Sequence, residues 1–163
     1  MKLAAATIAM MLLGACGTEP EPPVRTSIAS TGYFPPVLNL DVTFDGAPRD
    51  GRLIERAGRA VIKIGRDIEA GRSPVEGPLE TIHFTFRAPT GASDAVGSKF
   101  AHFTYKTSSL RQIAQFPPDL DGILADAEEG GTWGVANLDI TQDYCGDRME
   151  SRFCDRFGPN GAE

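Results

Sequence analysis

Between Asp50 and Ala70 the apolar residues Leu53, Ala57, Ala60, Val61, Ile64 and Ile68 recur at steps of three and four, with Ile54 at the edge of the stripe. That spacing puts them on one side of an α-helix, and a helix with one dry face must be laid against another element. Asp50 supplies an N-cap and Gly71 a stop at the other end. Gly58 and Gly65 interrupt the segment, each at a cost of about 1 kcal/mol relative to Ala. Seven residues apart, they flank the apolar stripe on nearly the same side. Close approach of a neighbour accounts for them, as does a break into two shorter elements; a helix packed on a sheet is the simpler arrangement.

The sheet is announced by period-two alternation. In 37–45, Leu38, Leu40, Val42 and Phe44 take one face, and Asn39, Asp41 and Thr43 the other, the signature of a half-buried strand. Asp45-Gly46-Ala47-Pro48 ends it. In 79–87, Ile82, Phe84 and Phe86 alternate with His83, Thr85 and Arg87. In 100–106, Ala101, Phe103 and Tyr105 alternate with His102, Thr104 and Lys106. The last two runs predict an antiparallel pair with Phe84 opposite Phe103 or Tyr105, joined by the small, polar loop APTGASDAVGS. Downstream the signals are shorter. Ser108 or Ser109 caps a helix carrying Leu110, Ile113 and Ala114, and Pro117-Pro118 stops it. A second short helix runs from Asp119 to Glu128. Glu129-Gly130-Gly131 turns into a strand over Trp133–Ile140, and Met149, Phe153 and Phe157 fall on a helical spacing.

At the N-terminus, Lys2 precedes an apolar run, Leu3 to Leu12, too short to span a bilayer. Leu13-Gly14-Ala15-Cys16 follows and resembles the lipobox of bacterial lipoproteins. The resemblance covers about a tenth of the chain and reports processing alone. It implies a signal peptide over 1–15, cleavage before Cys16, diacylglycerol on its thiol and an acyl chain such as palmitate on the new amine. Gly17, where an inner-membrane lipoprotein commonly has Asp, implies an outer-membrane address facing the periplasm. Residues 16–31 are expected to form the lipidated cysteine and an extended tether rich in Pro, Thr and Ser. Residues 32–163 are then one domain with one hydrophobic core.

An oxidising envelope makes Cys145 and Cys154 a disulfide pair; eight intervening residues suit neither a C-x-x-C redox motif nor a compact zinc knuckle. The expected fold is α+β: an amphipathic helix on an antiparallel sheet of about four strands, with a disulfide-stapled helical C-terminus.

Charge is segregated. Residues 49–72 hold seven basic and four acidic residues, net +3, leaving −9 for the remainder of a chain whose net charge is −6. Arg49, Arg52, Arg56, Arg59, Lys63 and Arg66 recur opposite the apolar stripe. They form a candidate face for an anionic lipid, glycan or envelope protein; the plainer reading is a solvated helix face paired with Glu55, Asp67 and Glu69. His83 and His102 are the candidate pocket residues, since imidazole titrates near neutrality and ligates metal. They would serve a small-ligand or hydrolytic site on the sheet. No HExxH, His-x-His, G-x-S-x-G, Ser-x-x-Lys or phosphate loop occurs, so no catalytic residue, metal site or cofactor is assigned. Asp119-Leu120-Asp121-Gly122 opens like a calcium loop, but Ile123 and Gly130 stand where oxygen donors are needed, and a capped helix start is expected instead. An acidic chain with an envelope address speaks against nucleic acid. The expectation is a lipid-anchored, non-enzymatic binding or structural domain.

Overall fold

The computed structural model describes residues 24–33, 36–45, 52–72, 77–89, 97–116, 119–134, 139–146, 148 and 150–158. Five strands, β1 (Val24–Tyr33), β2 (Pro36–Phe44), β3 (Thr81–Ala88), β4 (Ser98–Lys106) and β5 (Glu129–Thr132), lie side by side in chain order. The fold is α+β, as the alternation and the helical stripe require. The sheet is mixed rather than antiparallel. β1–β2, β3–β4 and β4–β5 run antiparallel, but β2 and β3 are parallel, Leu40 beside Phe84 and Val42 beside Phe86. The cause is helix α1 (Arg52–Glu69). A parallel pair needs a long crossover, and α1 returns the chain to the end of the sheet where β2 began.

Two further expectations are corrected. The tether was expected to reach residue 31, yet β1 begins at Val24 and pairs with β2 from Val24–Phe44 to Tyr33–Pro36. Its composition misled because it is an edge strand with Arg25 to Ala29 exposed; such a strand needs no large apolar residues. Of the strand expected over Trp133–Ile140, 135–138 lie outside the described residues; Trp133, Gly134 and Asp139 are not in a strand, β5 is Glu129–Thr132, and Ile140 opens a helix. Gly130 and Gly131, read as a turn, pair with Phe103 and His102, whose rings occupy the space a β-carbon would take. Bulky neighbours filling the gap beside strand glycines override their turn preference.

All described helices pack on one side of the sheet. α1, α2 (Thr107–Gln115), α3 (Leu120–Ala125), α4 (Ile140–Cys145) and α5 (Arg152–Phe157) contribute to one core with Leu38, Leu40, Val42, Phe44, Ile82, Phe84, Phe86, Phe103 and Tyr105. Phe84 stands opposite Phe103, as predicted. It stacks on Phe86 at 5.9 Å and meets Tyr105 edge-on at 5.8 Å. The Tyr105 hydroxyl donates to the Ile123 carbonyl at 2.9 Å, satisfying its buried polar end; desolvation raises its pKa far above the usual phenol value. Gly71, at φ +73°, closes α1: its N–H donates to Ile68 and that of Arg72 to Asp67, a Schellman motif. Asp50, the expected N-cap, lies outside the described residues, as do most of the β3–β4 loop and Met149. α2 starts at Thr107 without a side-chain cap, so Ser108 and Ser109 lie inside its first turn.

Both glycines of α1 face neighbouring helices. A β-carbon on Gly65 would sit 2.8 Å from the Leu110 carbonyl oxygen of α2; one on Gly58 would meet the Leu120 side chain at 3.2 Å. Backbone cannot yield as a leucine rotamer can. Gly65→Ala should therefore destabilise by about 1–2 kcal/mol despite its gain in helix propensity, while Gly58→Ala should change stability by less than about 1 kcal/mol. Equilibrium urea unfolding of the two variants checks the order.

Cys145 and Cys154 are bonded, with Cα atoms 5.7 Å apart, and tie α4 to α5. By loop-closure entropy a ring of this size is worth roughly 2–3 kcal/mol. Replacing both cysteines with Ala should lower the urea midpoint accordingly, and thiol titration of the unreduced protein should detect neither residue.

Candidate functional site

The basic residues of α1 stand on the side away from the core. Arg52, Arg59, Lys63 and Arg66 are exposed, and Arg56 is half-buried, its guanidinium over the Phe44 ring at 4.3 Å and donating to the Asp45 carbonyl at 3.4 Å. Arg49 lies outside the described residues. Two carboxylates flank the stripe. Glu55 accepts from Arg59 at 3.3 Å but is held more closely by Arg148, from the turn after α4, at 2.8 Å. Asp67 accepts from Lys63 at 3.4 Å and from Arg72 at 2.7 Å. The Arg72 hydrogen bond is the main reason the Asp67 carboxyl is held below its usual range. Glu69 is engaged by the Gln115 amide at 2.8 Å. The pairing expected with Glu55 and Asp67 is present, but each carboxylate has a second, closer arginine from outside the stripe. Exposed pairs of this kind contribute about 0.3–0.5 kcal/mol each.

Several carboxylates of the acidic C-terminal half are engaged within that half. Asp126 pairs with Arg152 at 2.7 Å and Glu128 with Lys106 at 3.2 Å. The two carboxylates of Asp119-Leu120-Asp121 cap two different helices. Asp119 accepts from the Gly122 N–H at 2.7 Å at the start of α3. Asp121 accepts from the Ser151 hydroxyl and from the Arg152 N–H, at 2.8 Å, at the start of α5. Helix capping thus accounts for the aspartates that open like a calcium loop. Among the described residues, no group of three or more His, Cys, Asp or Glu side chains is arranged to hold a metal ion.

His83 and His102 share the sheet face opposite the helices. In the β3–β4 register His83 lies beside Thr104 and His102 beside Thr85, so the imidazoles are diagonal neighbours, roughly 7–8 Å apart along the backbone. They engage different partners. His83 Nδ1 shares a 2.7 Å hydrogen bond with the Thr104 hydroxyl. His102 lies against Gly131 and packs on Trp133, centroids 4.8 Å apart and rings tilted by 31°; its Nδ1 is buried without a hydrogen-bond partner among the described residues. Asp41, on the same face, is committed to Arg87 at 3.2 Å. Sequence reasoning missed the His102–Gly131–Trp133 arrangement because the glycine was taken for a turn.

A groove of about 570 Å³ opens instead between α2, the α3–β5 connection and α5, lined by Gln112, Ile113, Phe116, Asp126 and Arg156 among others. Phe116 is 76% exposed there, while the Arg156 guanidinium is spent on the Ala125 and Glu128 carbonyls at 2.6 and 2.9 Å. These residues come from three elements and no sequence motif joins them. No helix among the described residues is long and apolar enough to cross a membrane. No protein-family model, curated protein or solved structure matches the chain.

Burial, with a smaller contribution from Lys99 and His83, lowers the His102 pKa; Glu129 opposes the shift. Neutral imidazole is therefore favoured in the folded state. The stabilisation is complete above the unfolded-state value near 6.5 and is lost as pH falls through the lower folded value. Trp133, the chain's one tryptophan, reports on the ring it packs against. Its fluorescence should titrate with a midpoint below 6.5, and His102→Gln should abolish the transition. A midpoint at or above 6.5 would contradict this account.

Proposed function

We propose that the chain is a bacterial envelope lipoprotein, anchored through Cys16, with a non-enzymatic binding or structural role in which its basic helix docks an anionic partner. The observation that carries the reading is the Leu13-Gly14-Ala15-Cys16 sequence behind a short apolar run. Supporting it, Cys145 and Cys154 are consumed by their own bridge, which leaves Cys16 as the remaining thiol. Three acyl chains hold a protein effectively permanently, where one gives marginal binding. Gly17 favours the outer membrane, with the domain in the periplasm.

The binding role rests on surface geometry. The cations of α1 form a row, exposed at Arg52, Arg59, Lys63 and Arg66 and half-buried at Arg56, whereas the imidazoles proposed for a small-ligand site engage different partners. The test is metabolic labelling with an alkyne analogue of palmitate in a bacterial host, followed by membrane fractionation. The wild-type chain should be labelled and sediment with membranes; Cys16→Ala should be unlabelled and shift in mass by the retained signal segment. Equal labelling of the two would refute the anchor.

A further inference from the structure

The position at which the chain joins the sheet bears on what the basic helix faces. Val24, the first described residue, pairs with Phe44 at one end of β1. The Phe44 ring carries the Arg56 guanidinium, and Arg25 pairs with Asp45 at 2.8 Å. The segment arriving from Cys16 therefore meets the domain beside the first turns of α1. Seven residues lie between Cys16 and Val24, so the eight Cα-to-Cα steps span no more than about 29 Å in any conformation. This exceeds the 10–12 Å thickness of one helix, which lets α1 lie on a surface that holds Cys16. It is comparable to the row from Arg52 to Arg66, about 21 Å long at 1.5 Å per residue.

We infer that the exposed face of α1, through Arg52, Arg59, Lys63 and Arg66, docks on the anionic phospholipid headgroups of the bilayer that carries the Cys16 anchor, so that the helix layer faces the membrane and the outer sheet face turns away from it. This inference rests on the lipoprotein reading for the anchor and on separate observations for the surface. Two carboxylates flank the row, and each is engaged more closely by an arginine outside it, Glu55 by Arg148 and Asp67 by Arg72. Counting those partners, seven cations (Arg52, Arg56, Arg59, Lys63, Arg66, Arg72 and Arg148) stand against Glu55, Asp67 and Glu69, a local +4. Phosphate oxygens replace the long, solvent-exposed contacts of Arg59 and Lys63 with charge-assisted bonds of the same kind. The mature chain as a whole is acidic, net −7 once Lys2 is removed from the −6 of the full sequence, which at long range opposes an anionic surface. The screening length decides between the two: about 8 Å at physiological salt, well under the roughly 21 Å length of the row. At that range the membrane senses the charges lining α1 more than the acidic residues elsewhere in the helix layer, of which Asp119 and Asp121 are engaged at helix starts and Asp126 by Arg152. Tethering supplies the remaining requirement, since it converts docking into an intramolecular event at high effective concentration.

The test couples residues 16–163, which retain every described residue, through the Cys16 thiol to a maleimide lipid in vesicles of phosphatidylcholine alone or with 30% phosphatidylglycerol (about the anionic content of a strongly charged leaflet). Acetylation of Lys63 is followed by peptide mass spectrometry against Lys99, which is exposed on β4. On phosphatidylglycerol vesicles at about 0.1 M salt the Lys63/Lys99 rate ratio should fall at least about threefold below that on phosphatidylcholine. It should recover when salt is raised to about 1 M, where the screening length is about 3 Å, and in the combined variant Arg52→Gln, Arg59→Gln, Arg66→Gln. An equal ratio on both vesicles overturns the inference, as does protection of Lys63 by a soluble anionic polysaccharide but not by anionic vesicles. Because the coupling is chemical, failure here leaves the acylation of Cys16 standing, and absence of acylation in cells leaves this surface result standing.

Discussion

Phe84 and Phe86 on β3 are completely buried, and their burial sets the terms for the rest of the molecule. A fully buried side chain of this size gains roughly 1.5–3 kcal/mol from leaving water, but one sheet face cannot bury itself. α1 has to cross that face to connect two strands that are neighbours in the sheet, and its apolar stripe is the cover. The parallel β2–β3 pair, the central place of β3 and the placement of the helices on one side follow from this single crossover. What remains is edge and perimeter. β1 closes one side with an exposed strand. α2 and α3 close the flank of α1 where Gly65 and Gly58 admit them, Gly65 to the Leu110 backbone and Gly58 to the Leu120 side chain.

That arrangement also distributes the polar chemistry. With every described helix on one face, the opposite face keeps its alternate residues half-exposed: Asn39, Asp41, His83, Thr85 and Arg87. Their hydrogen bonds run mostly across the strands, His83 to Thr104 and Arg87 to Asp41. His102 departs from this pattern. It packs against Gly131 and Trp133, where desolvation outweighs the nearby Glu129 carboxylate. On the helix side, the cations of α1 point outward for the same reason that its leucine and isoleucines point inward. The functional proposal and the fold therefore share one cause, the two-sidedness of α1.

Much of this was legible in advance where a residue's environment depends on its immediate neighbours. The helix from its 3.6 period, the strands β2, β3 and β4 from their alternation, the Phe84–Phe103 pairing and the Cys145–Cys154 bridge all have local signatures. β1 and β5 do not. β1 lacks apolar alternation because an edge strand exposed to water needs none, and β5 contains two glycines whose space is filled by Phe103 and His102 from the next strand. The candidate site was legible to the same extent. The row Arg52 to Arg66 is a helical period; that Arg148 and Arg72 occupy its flanking carboxylates is a tertiary fact for Arg148, ninety-three residues from Glu55.

The chain by itself determined which faces are dry and which are wet, because apolar periodicity encodes a preference that each element carries alone. It also carries the Leu13-Gly14-Ala15-Cys16 sequence on which the proposed acylation rests, since a short motif read by processing enzymes needs no fold. Tertiary structure decided strand direction, the partner of each carboxylate, and the separate fates of the two histidines. Those outcomes turn on contacts between residues far apart in sequence, for which no single segment carries a pattern. The aspartates of 119–121 make the distinction plain: a motif on the page suggests one shared cation, while in the fold the two side chains hold the ends of two different helices, because backbone N–H groups at helix starts are the donors that packing brings within reach.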